Sequence, residues 1–208
     1  SRGLGDVYKR QFYKLIKNPI SRIEVASAGG YLSYENIADK ATVAGVEVEV
    51  RKNLFVRPLS SAANGMNKLS FGLNGSYIYT NAKMPLATVT TGSQLEGAAP
   101  WIANFDLSHN FTKGNHSFIN TLVLNYVSDK IYTIGTQGYQ DIMEQGMMTL
   151  DFVSQAKLNK YVSLTLKARN LLNPSYKLSR KANESGEKVV LSDYKKGINI
   201  SLGVSCTF

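Results

Sequence analysis

The residues of this sequence best suited to chemistry are polar and charged side chains that recur at every second position. They are Glu47, Glu49, Arg51, Asn104, Asp106, Lys167 and Arg169. Successive side chains of a β-strand point to opposite faces, so each group is predicted to lie on one face of its strand, opposite an apolar row. Charges of both signs on one face can bind a polar solute or line a water-filled wall. We interpret these seven residues as candidates for the lumen-facing side of a β-barrel.

The motifs of catalysis are missing from the sequence. It contains no His-Glu-x-x-His, no paired cysteines, no P-loop and no Gly-x-Ser-x-Gly. His109 and His116 flank a short turn, and we interpret them as turn-end side chains. The single Cys206 cannot form an internal disulfide. We therefore predict that the protein is not an enzyme and holds no cofactor or metal.

The net charge of +9 is scattered along the 208 residues, so the sequence does not favour binding to nucleic acid. Part of this charge lies in residues 1–11, "SRGLGDVYKRQ", which carry three cations against one acid. This stretch resembles a recurrent adaptor-derived translation scar. We interpret it as non-native and leave it out of the fold prediction.

From Phe12 onward, apolar and polar residues alternate in about eight blocks, which predicts an all-β, antiparallel fold. The blocks are Phe12 to Lys17, Tyr31 to Lys52, Lys68 to Thr80, Ile102 to Phe111, His116 to Ser128, Met148 to Leu158, Tyr161 to Leu171 and Ile198 to Phe208. The longest apolar run has six residues, far below the roughly 20 residues that a membrane-spanning helix needs. Strands of this length tilted near 45° span about 25–30 Å, enough to cross an outer membrane.

Long and short connections alternate between these blocks. The long ones are Asn18 to Gly30, Asn81 to Trp101, Asp129 to Gly146 and Asn173 to Lys195, and the tight ones are Thr112 to Asn115 and Asn159 to Lys160. In a meander, this alternation collects all long loops at one end, as in an outer-membrane barrel with short periplasmic turns. Asn53 to Asn67 is the exception, because a long connection stands where a short one is expected.

Three segments resemble the barrel of TonB-dependent outer-membrane receptors. They are "YENIADKATVAGVEVEVRKNL", "LEGAAPWIANFDLSHNF" and "KARNLLNPSY". The residues that carry the resemblance are Asn36, Ala41, Gly45, Val46, Glu47, Gly97, Pro100, Asn104, Asn170, Leu171 and Asn173. The pattern is similar to Bacteroidetes members of that family.

The closing strand also resembles the family's barrel-assembly signal, which has the form polar-x-Gly-x-x-apolar-x-aromatic. Ser201, Gly203, Cys206 and Phe208 occupy its positions, although Cys206 replaces the usual large hydrophobe. The resemblance implies that the barrel-assembly machinery reads this strand.

The resemblance implies that residues 12–208 are the C-terminal portion of a transmembrane β-barrel of 22 strands. It further implies an N-terminal region that contains a plug and contacts TonB. We expect a protein of the Gram-negative outer membrane, surrounded by lipid, that imports a scarce nutrient by energy-coupled transport. The nutrient could be a siderophore, haem, cobalamin or a glycan. Two alternatives stay open: a passive, porin-like outer-membrane barrel and a soluble carbohydrate-binding β-sandwich.

Overall fold

The structure is a computed structural model that describes residues 5–25, 31–59, 65–82, 94–136, 138–182 and 186–207. The described residues form fourteen strands. They are β1 (Asp6–Lys17), β2 (Ile20–Glu24), β3 (Leu32–Asn36), β4 (Lys40–Pro58), β5 (Met66–Ala82), β6 (Trp101–Lys113), β7 (His116–Val127), β8 (Lys130–Thr133), β9 (Ile142–Glu144), β10 (Met147–Lys157), β11 (Val162–Arg169), β12 (Ser175–Lys181), β13 (Lys188–Lys195) and β14 (Asn199–Cys206). None of the residues in these ranges belongs to a helix long and apolar enough to cross a membrane.

Eight of the strands form one antiparallel sheet in the order β1-β4-β5-β6-β7-β10-β11-β14. These eight strands correspond to the eight blocks of the sequence, so the all-β, antiparallel meander is confirmed. β1 and β14 are the two edges of the sheet, which is open. The closed barrel of 22 strands stays a prediction.

The long connections between sheet strands all leave from the same end of the meander. Residues 18–39, 83–100, 128–146 and 170–198 make these connections, and the opposite end carries the shorter connections 59–65, 114–115 and 158–161. The prediction that long and short connections separate is therefore confirmed. We call the end with residues 59–65, 114–115 and 158–161 the short-turn end.

The structure corrects two parts of the sequence prediction. The connection expected from Asn53 to Asn67 is only 59–65, because β4 continues to Pro58 and β5 begins at Met66. Three of the four long connections, expected as loops, contain hairpins. These hairpins are β2–β3, β8–β9 and β12–β13.

The register divides the eight-stranded sheet into two chemically different faces. Directly paired residues share a face, so the pairs Val48–Gly75, Leu73–Phe105 and Leu122–Phe152 belong to one continuous apolar face. Many apolar side chains on this face remain exposed, from 37% for Leu166 to 70% for Leu202. A second sheet does not cover them in the described part of the chain, which is unlike the interdigitated core of a soluble β-sandwich.

The buried apolar residues lie among the long connections rather than on the sheet faces. Ile23, Ile37, Ala38, Ile131 and Ile134 form a cluster with the outer ends of β4 and β5. A parallel bridge between Ile23 and Ile134 joins the β2–β3 hairpin to the four-stranded sheet β13-β12-β9-β8. We call β2, β3, β8, β9, β12 and β13, with the segments that join them, the cap.

Candidate functional site

All seven residues proposed to face a lumen lie on the face of the eight-stranded sheet opposite the apolar face. The register pairs Glu47, Glu49 and Arg51 of β4 with Ser76, Asn74 and Gly72 of β5, which in turn pair with Ile102, Asn104 and Asp106 of β6. Lys167 and Arg169 lie on the same face of β11, opposite Ser201 and Asn199. We call this surface the polar face. That it lines a lumen stays a prediction.

A ladder of polar side chains crosses five strands of the polar face. Its members are Glu49, Asn74, Asn104, Asn125 and Thr149, each directly opposite the next. The Asn104 amide donates to Asn74 Oδ1 at 3.4 Å, and the Asn125 amide donates to Thr149 Oγ1 at 3.4 Å. Sequence reasoning identified only Glu49 and Asn104 here. The alternation of β5 and β10 placed Asn74 and Thr149 on the correct face, but only the register shows that they are neighbours.

Gly72 brings charges of opposite sign close together on the polar face. Gly72 of β5 pairs with Arg51 of β4 on one side and with Asp106 of β6 on the other. A Cβ atom on Gly72 would lie 2.3 Å from Asp106 Oδ1. Glycine is therefore the residue that leaves room for the Asp106 carboxylate. Arg51 also forms an ion pair with Glu49, but both side chains are exposed, so this pair contributes little stability.

The two groups of candidate residues do not form one site. Residues of β4 and β6 are neighbours across β5, whereas Lys167 lies on β11, three strands beyond β6. Asp151 has a structural role on this face, because its Oδ1 accepts a hydrogen bond of 2.8 Å from the backbone amide of Asn170. The polar face thus offers a long polar wall rather than a compact constellation of acid, base and nucleophile. Within the described ranges, no three His, Cys, Asp or Glu residues are grouped to hold a metal ion.

Charged residues of the cap pair with one another at partly buried positions. Arg22 pairs with Glu96 at 3.4 Å and stacks over the Tyr132 ring at 4.3 Å. Partial burial alone would lower the pKa of Arg22, but Tyr132, Glu96 and Tyr34 more than offset this and raise it. A second pair joins Arg180 of β12 to Glu24 of β2, so it connects the two small sheets of the cap.

Tyr176 occupies a further polar contact in the cap. Its hydroxyl donates to Glu144 Oε2 at 3.2 Å, and Glu144 also pairs with Lys130 at 3.1 Å. Desolvation, followed by the negative charge of Glu144, raises the pKa of Tyr176 to about 12. The phenol is therefore neutral over the whole physiological range and serves as a fixed donor.

The cap contains a cavity of about 420 Å³, a volume typical of small-molecule sites. Its lining residues are Asp129, Gln140, Asp141, Met143, Ser179, Arg180, Lys181 and Lys188. Asp141 holds the cavity wall, because its Oδ1 accepts a hydrogen bond of 2.8 Å from Gly135 N. Gly135 has no room for a side chain, since a Cβ atom would lie 2.1 Å from the Tyr139 carbonyl oxygen.

Two asparagines fix the base of the last long connection. Asn170 and Asn173 have φ angles of 59° and 45°, in the left-handed region that asparagine tolerates better than most residues. The Asn170 amide donates to the Gly197 carbonyl at 2.7 Å, and Asn173 Oδ1 accepts from Gly197 N at 3.0 Å. These contacts give a physical reason for the two asparagines of "RNLLNPSY".

The candidate assembly signal lies at the sheet edge formed by β14. Ser201 and Gly203 are on the polar face opposite Lys167 and Thr165, and Cys206 is on the apolar face opposite Val162. Phe208 lies outside the described residues. The exposed β14 edge is available for recognition, but its reading by the assembly machinery stays a prediction.

The apolar face carries polar residues that the sequence analysis did not place there. His109 lies within β6, opposite Asn120 and Leu69, so its interpretation as a turn-end side chain is wrong. Its Nε2 contacts Asn67 Oδ1 at 2.9 Å, while His116 begins β7 directly after the turn. A Lys or Arg side chain that faces lipid at mid-bilayer lowers the folding stability by about 2–4 kcal/mol, and near the interface by about 0–1 kcal/mol.

A two-faced antiparallel meander with its long connections at one end is the architecture of outer-membrane barrel walls. The family model described as "TonB dependent receptor-like, beta-barrel" matches residues 12–171, which is more than half of the chain. The chain therefore belongs to that family, whose members are outer-membrane transporters rather than enzymes and work with TonB and a nutrient ligand. No curated protein and no solved structure matches the chain.

Proposed function

We propose that residues 12–208 form the C-terminal part of the barrel of a receptor that imports a scarce nutrient by energy-coupled transport. The observation that carries the proposal is the division of one sheet into an exposed apolar face and a polar face with charges of both signs. An apolar surface of this extent is stable where lipid covers it, and the polar face then lines the enclosed side. The family membership supports TonB as the partner that transmits the energy for import.

The proposal includes several finer points that rest on the resemblance. The intact barrel has 22 strands and a plug, and β1 and β14 are paired with other strands in it, because open strand edges promote aggregation. The barrel-assembly machinery recognises Ser201, Gly203, Cys206 and Phe208. The protein comes from a Bacteroidetes bacterium.

The cap is the proposed place of first contact with the nutrient. Its cavity lies beside Lys181 and Lys188, which face each other in the β12–β13 register and have no ion-pair partner among the described residues. Two cations without a salt bridge can bind acceptor groups of a ligand without first losing an internal partner. A siderophore, haem, cobalamin and a glycan all carry such groups.

Cleavage on intact cells tests the membrane topology. A protease site inserted between Asp129 and Gly146 should be cut from outside, and the same site at Asn159 should be protected, because the two positions lie at opposite ends of the sheet. Cleavage at Asn159 with protection of residues 129–146 would overturn the orientation.

Growth of a deletion strain on defined iron, cobalamin and glycan sources tests transport and identifies the cargo. Complementation with the variant that combines Lys181→Gln and Lys188→Gln should slow growth at limiting nutrient. The control Lys177→Gln removes a lysine that pairs with Asp193 at 3.2 Å outside the cavity. Normal growth of the deletion strain with the TonB system intact, on every nutrient, would contradict the proposal. A passive porin-like barrel would instead support uptake in a strain without TonB.

We also propose that residues 1–11 are a non-native segment. In the structure Asp6 to Gln11 extend β1 along β4, and Lys9 and Gln11 lie on the apolar face beside Val48 and Val46. Polar side chains at these positions are unfavourable against lipid, which supports the interpretation. Peptide mapping of the protein from its own cells should recover Phe12 preceded by a different sequence. Recovery of an intact "DVYKRQFYK" peptide would refute it.

A further inference from the structure

The charges on the apolar face all have the same sign. Within the eight sheet strands, each of which is described in full, the cations on this face from Phe12 onward are Lys17, Lys40, Lys52, Arg57 and Lys113. The acidic side chains of the same strands are Asp6, Glu47, Glu49, Asp106 and Asp151, and the register places all of them on the polar face.

Two of these cations belong to a cluster of hydrogen-bond donors at the short-turn end. Arg57 lies directly opposite Asn67, and Asn67 Oδ1 contacts His109 Nε2 at 2.9 Å. Lys113 pairs with His116 and lies two residues closer to the turn 114–115 than Phe111, the partner of Asn67. The Asn67 carbonyl oxygen is occupied by the imidazole, so its amide N–H groups remain as donors.

The cluster lies at the depth where lipid headgroups begin. Arg57 and Asn67 are in register with Phe111 and Phe118, which pair across β6 and β7. Trp101 and Tyr126 occupy the opposite end of the same face, about 20–25 Å away for strands tilted near 45°. Two such aromatic levels mark the two interfaces of an outer-membrane barrel. Arg57 and Lys113 therefore reach headgroups at the short-turn end.

The spacing of the two cations suits a single headgroup. Arg57 and Lys113 are two strands and two residues apart, which places their Cα atoms about 12 Å from each other. Their side chains can converge on one phosphate, because each extends roughly 6 Å from its backbone. In the described part of the chain neither side chain has an ion-pair partner, and Arg57 forms a cation–π contact with the Phe55 ring at 5.6 Å.

We propose that Arg57, Asn67 and Lys113 form a binding site for the phosphate of an anionic phospholipid, in which His109 orients the Asn67 carboxamide. Charge complementarity carries the choice of ligand, because guanidinium and ammonium groups bind phosphate strongly and no acid on this face opposes it. The short-turn end faces the periplasm in barrels of this kind, so the lipid belongs to the inner leaflet. This step rests on the proposed membrane orientation and does not depend on transport.

Lipid binding to the purified outer-membrane protein that carries this chain tests the site. Native mass spectrometry in detergent, titrated with dioleoyl phosphatidylglycerol or dioleoyl phosphatidylcholine, gives the number of bound lipids and their affinity. The variant that combines Arg57→Gln with Lys113→Gln should bind phosphatidylglycerol about tenfold more weakly, and phosphatidylcholine unchanged. Arg57→Lys with Lys113→Arg preserves charge and should keep most of the binding.

The matched control combines Lys68→Gln with Lys157→Gln. These lysines also lie near the short-turn end, but the register places them on the polar face. This control variant should bind phosphatidylglycerol with the same affinity as the unaltered protein. Equal affinity of the unaltered protein for the two lipids, or an equal loss in the control, would overturn the site.

Cell-surface cleavage of residues 129–146 in the same variants separates the possible failures. Normal cleavage with no lipid preference overturns the lipid site and leaves the receptor proposal intact. Cleavage from the wrong side overturns the orientation and the site together. A variant that fails to fold is recognised by loss of surface cleavage, and the charge-preserving variant then decides the question.

Discussion

The cap and the eight-stranded sheet bury apolar side chains in different ways. In the cap, Ile23 and Ile134 are 7% and 1% exposed and pack against other parts of the chain. In the sheet, Leu73 and Leu202 are 47% and 70% exposed, although they belong to the same kind of alternating strand. Contacts within the chain bury the side chains of the cap, whereas in our proposal lipid covers the apolar face of the sheet. Mutations in the two regions should therefore have different costs for the same chemical change.

Ile134→Ala is the change expected to have the largest effect. Ile134 lies in the cap core and forms the bridge to Ile23, so truncation leaves a cavity and should cost about 2–5 kcal/mol of cap stability. Hydrogen exchange of the β2 and β8 amides measures this loss. Leu122→Ala, on the apolar face of β7, should cost less, because lipid tails fill the space. Equal costs at the two positions would show that the sheet has a protein interior after all.

Leu122→Arg tests the apolar face directly. Leu122 lies between Leu107 and Phe152 in mid-sheet, where an arginine facing lipid should cost about 2–4 kcal/mol. The adjacent Val123→Arg places the same side chain on the polar face between Asp106 and Asp151, and should be tolerated. Denaturant titration of the protein in phosphocholine vesicles compares the two. A larger cost for Val123→Arg would reverse the assignment of the faces.

Asn173→Ala concerns the junction of cap and sheet, and its effect should be intermediate. Alanine loses the hydrogen bond to Gly197 N and is strained at a φ angle of 45°, a combined cost of about 1–2 kcal/mol. Asn173→Gly removes only the hydrogen bond and should cost less. Protease sensitivity of residues 174–198 on intact cells reports the loosening. Identical behaviour of the two variants would show that backbone conformation is not the main contribution.

The sequence was sufficient for the sheet but not for its details. Alternation predicted the eight strands, because a wall between lipid and water needs opposite chemistry on successive residues. The predicted end of β4 was too early because a bulge between Asn53 and Phe55 inserts one extra residue. Beyond the bulge the apolar face continues at odd-numbered residues such as Phe55, and Arg57 lies on it too, whereas before the bulge it is formed by even-numbered residues such as Val50. His109 was misplaced for a related reason, since its neighbours are visible only in the register.

The cap could not be predicted, since most of its strands are short and its contacts are not local in sequence. β9 and β8 have only three and four residues, and a parallel bridge and partly buried ion pairs hold the hairpins together. These contacts join residues far apart in the chain, such as Glu24 and Arg180, so no local sequence pattern predicts them. Periodicity is informative where the surroundings repeat, as along the sheet, and uninformative where each contact is different.

Titration of Tyr176 is the smallest of the expected effects and reports on the polar contacts of the cap. Its pKa is raised to about 12, first by desolvation and then by Glu144, from an ordinary value of 10.0. A raised pKa means that the stabilising contribution of the neutral phenol is complete below pH 10 and is lost as the pH rises from 10 to about 12. The difference in absorbance at alkaline pH between the unaltered protein and Tyr176→Phe gives this pKa. Glu144→Gln should lower the pKa only in part, because desolvation remains, and a return to the ordinary value would show that the carboxylate is the main cause.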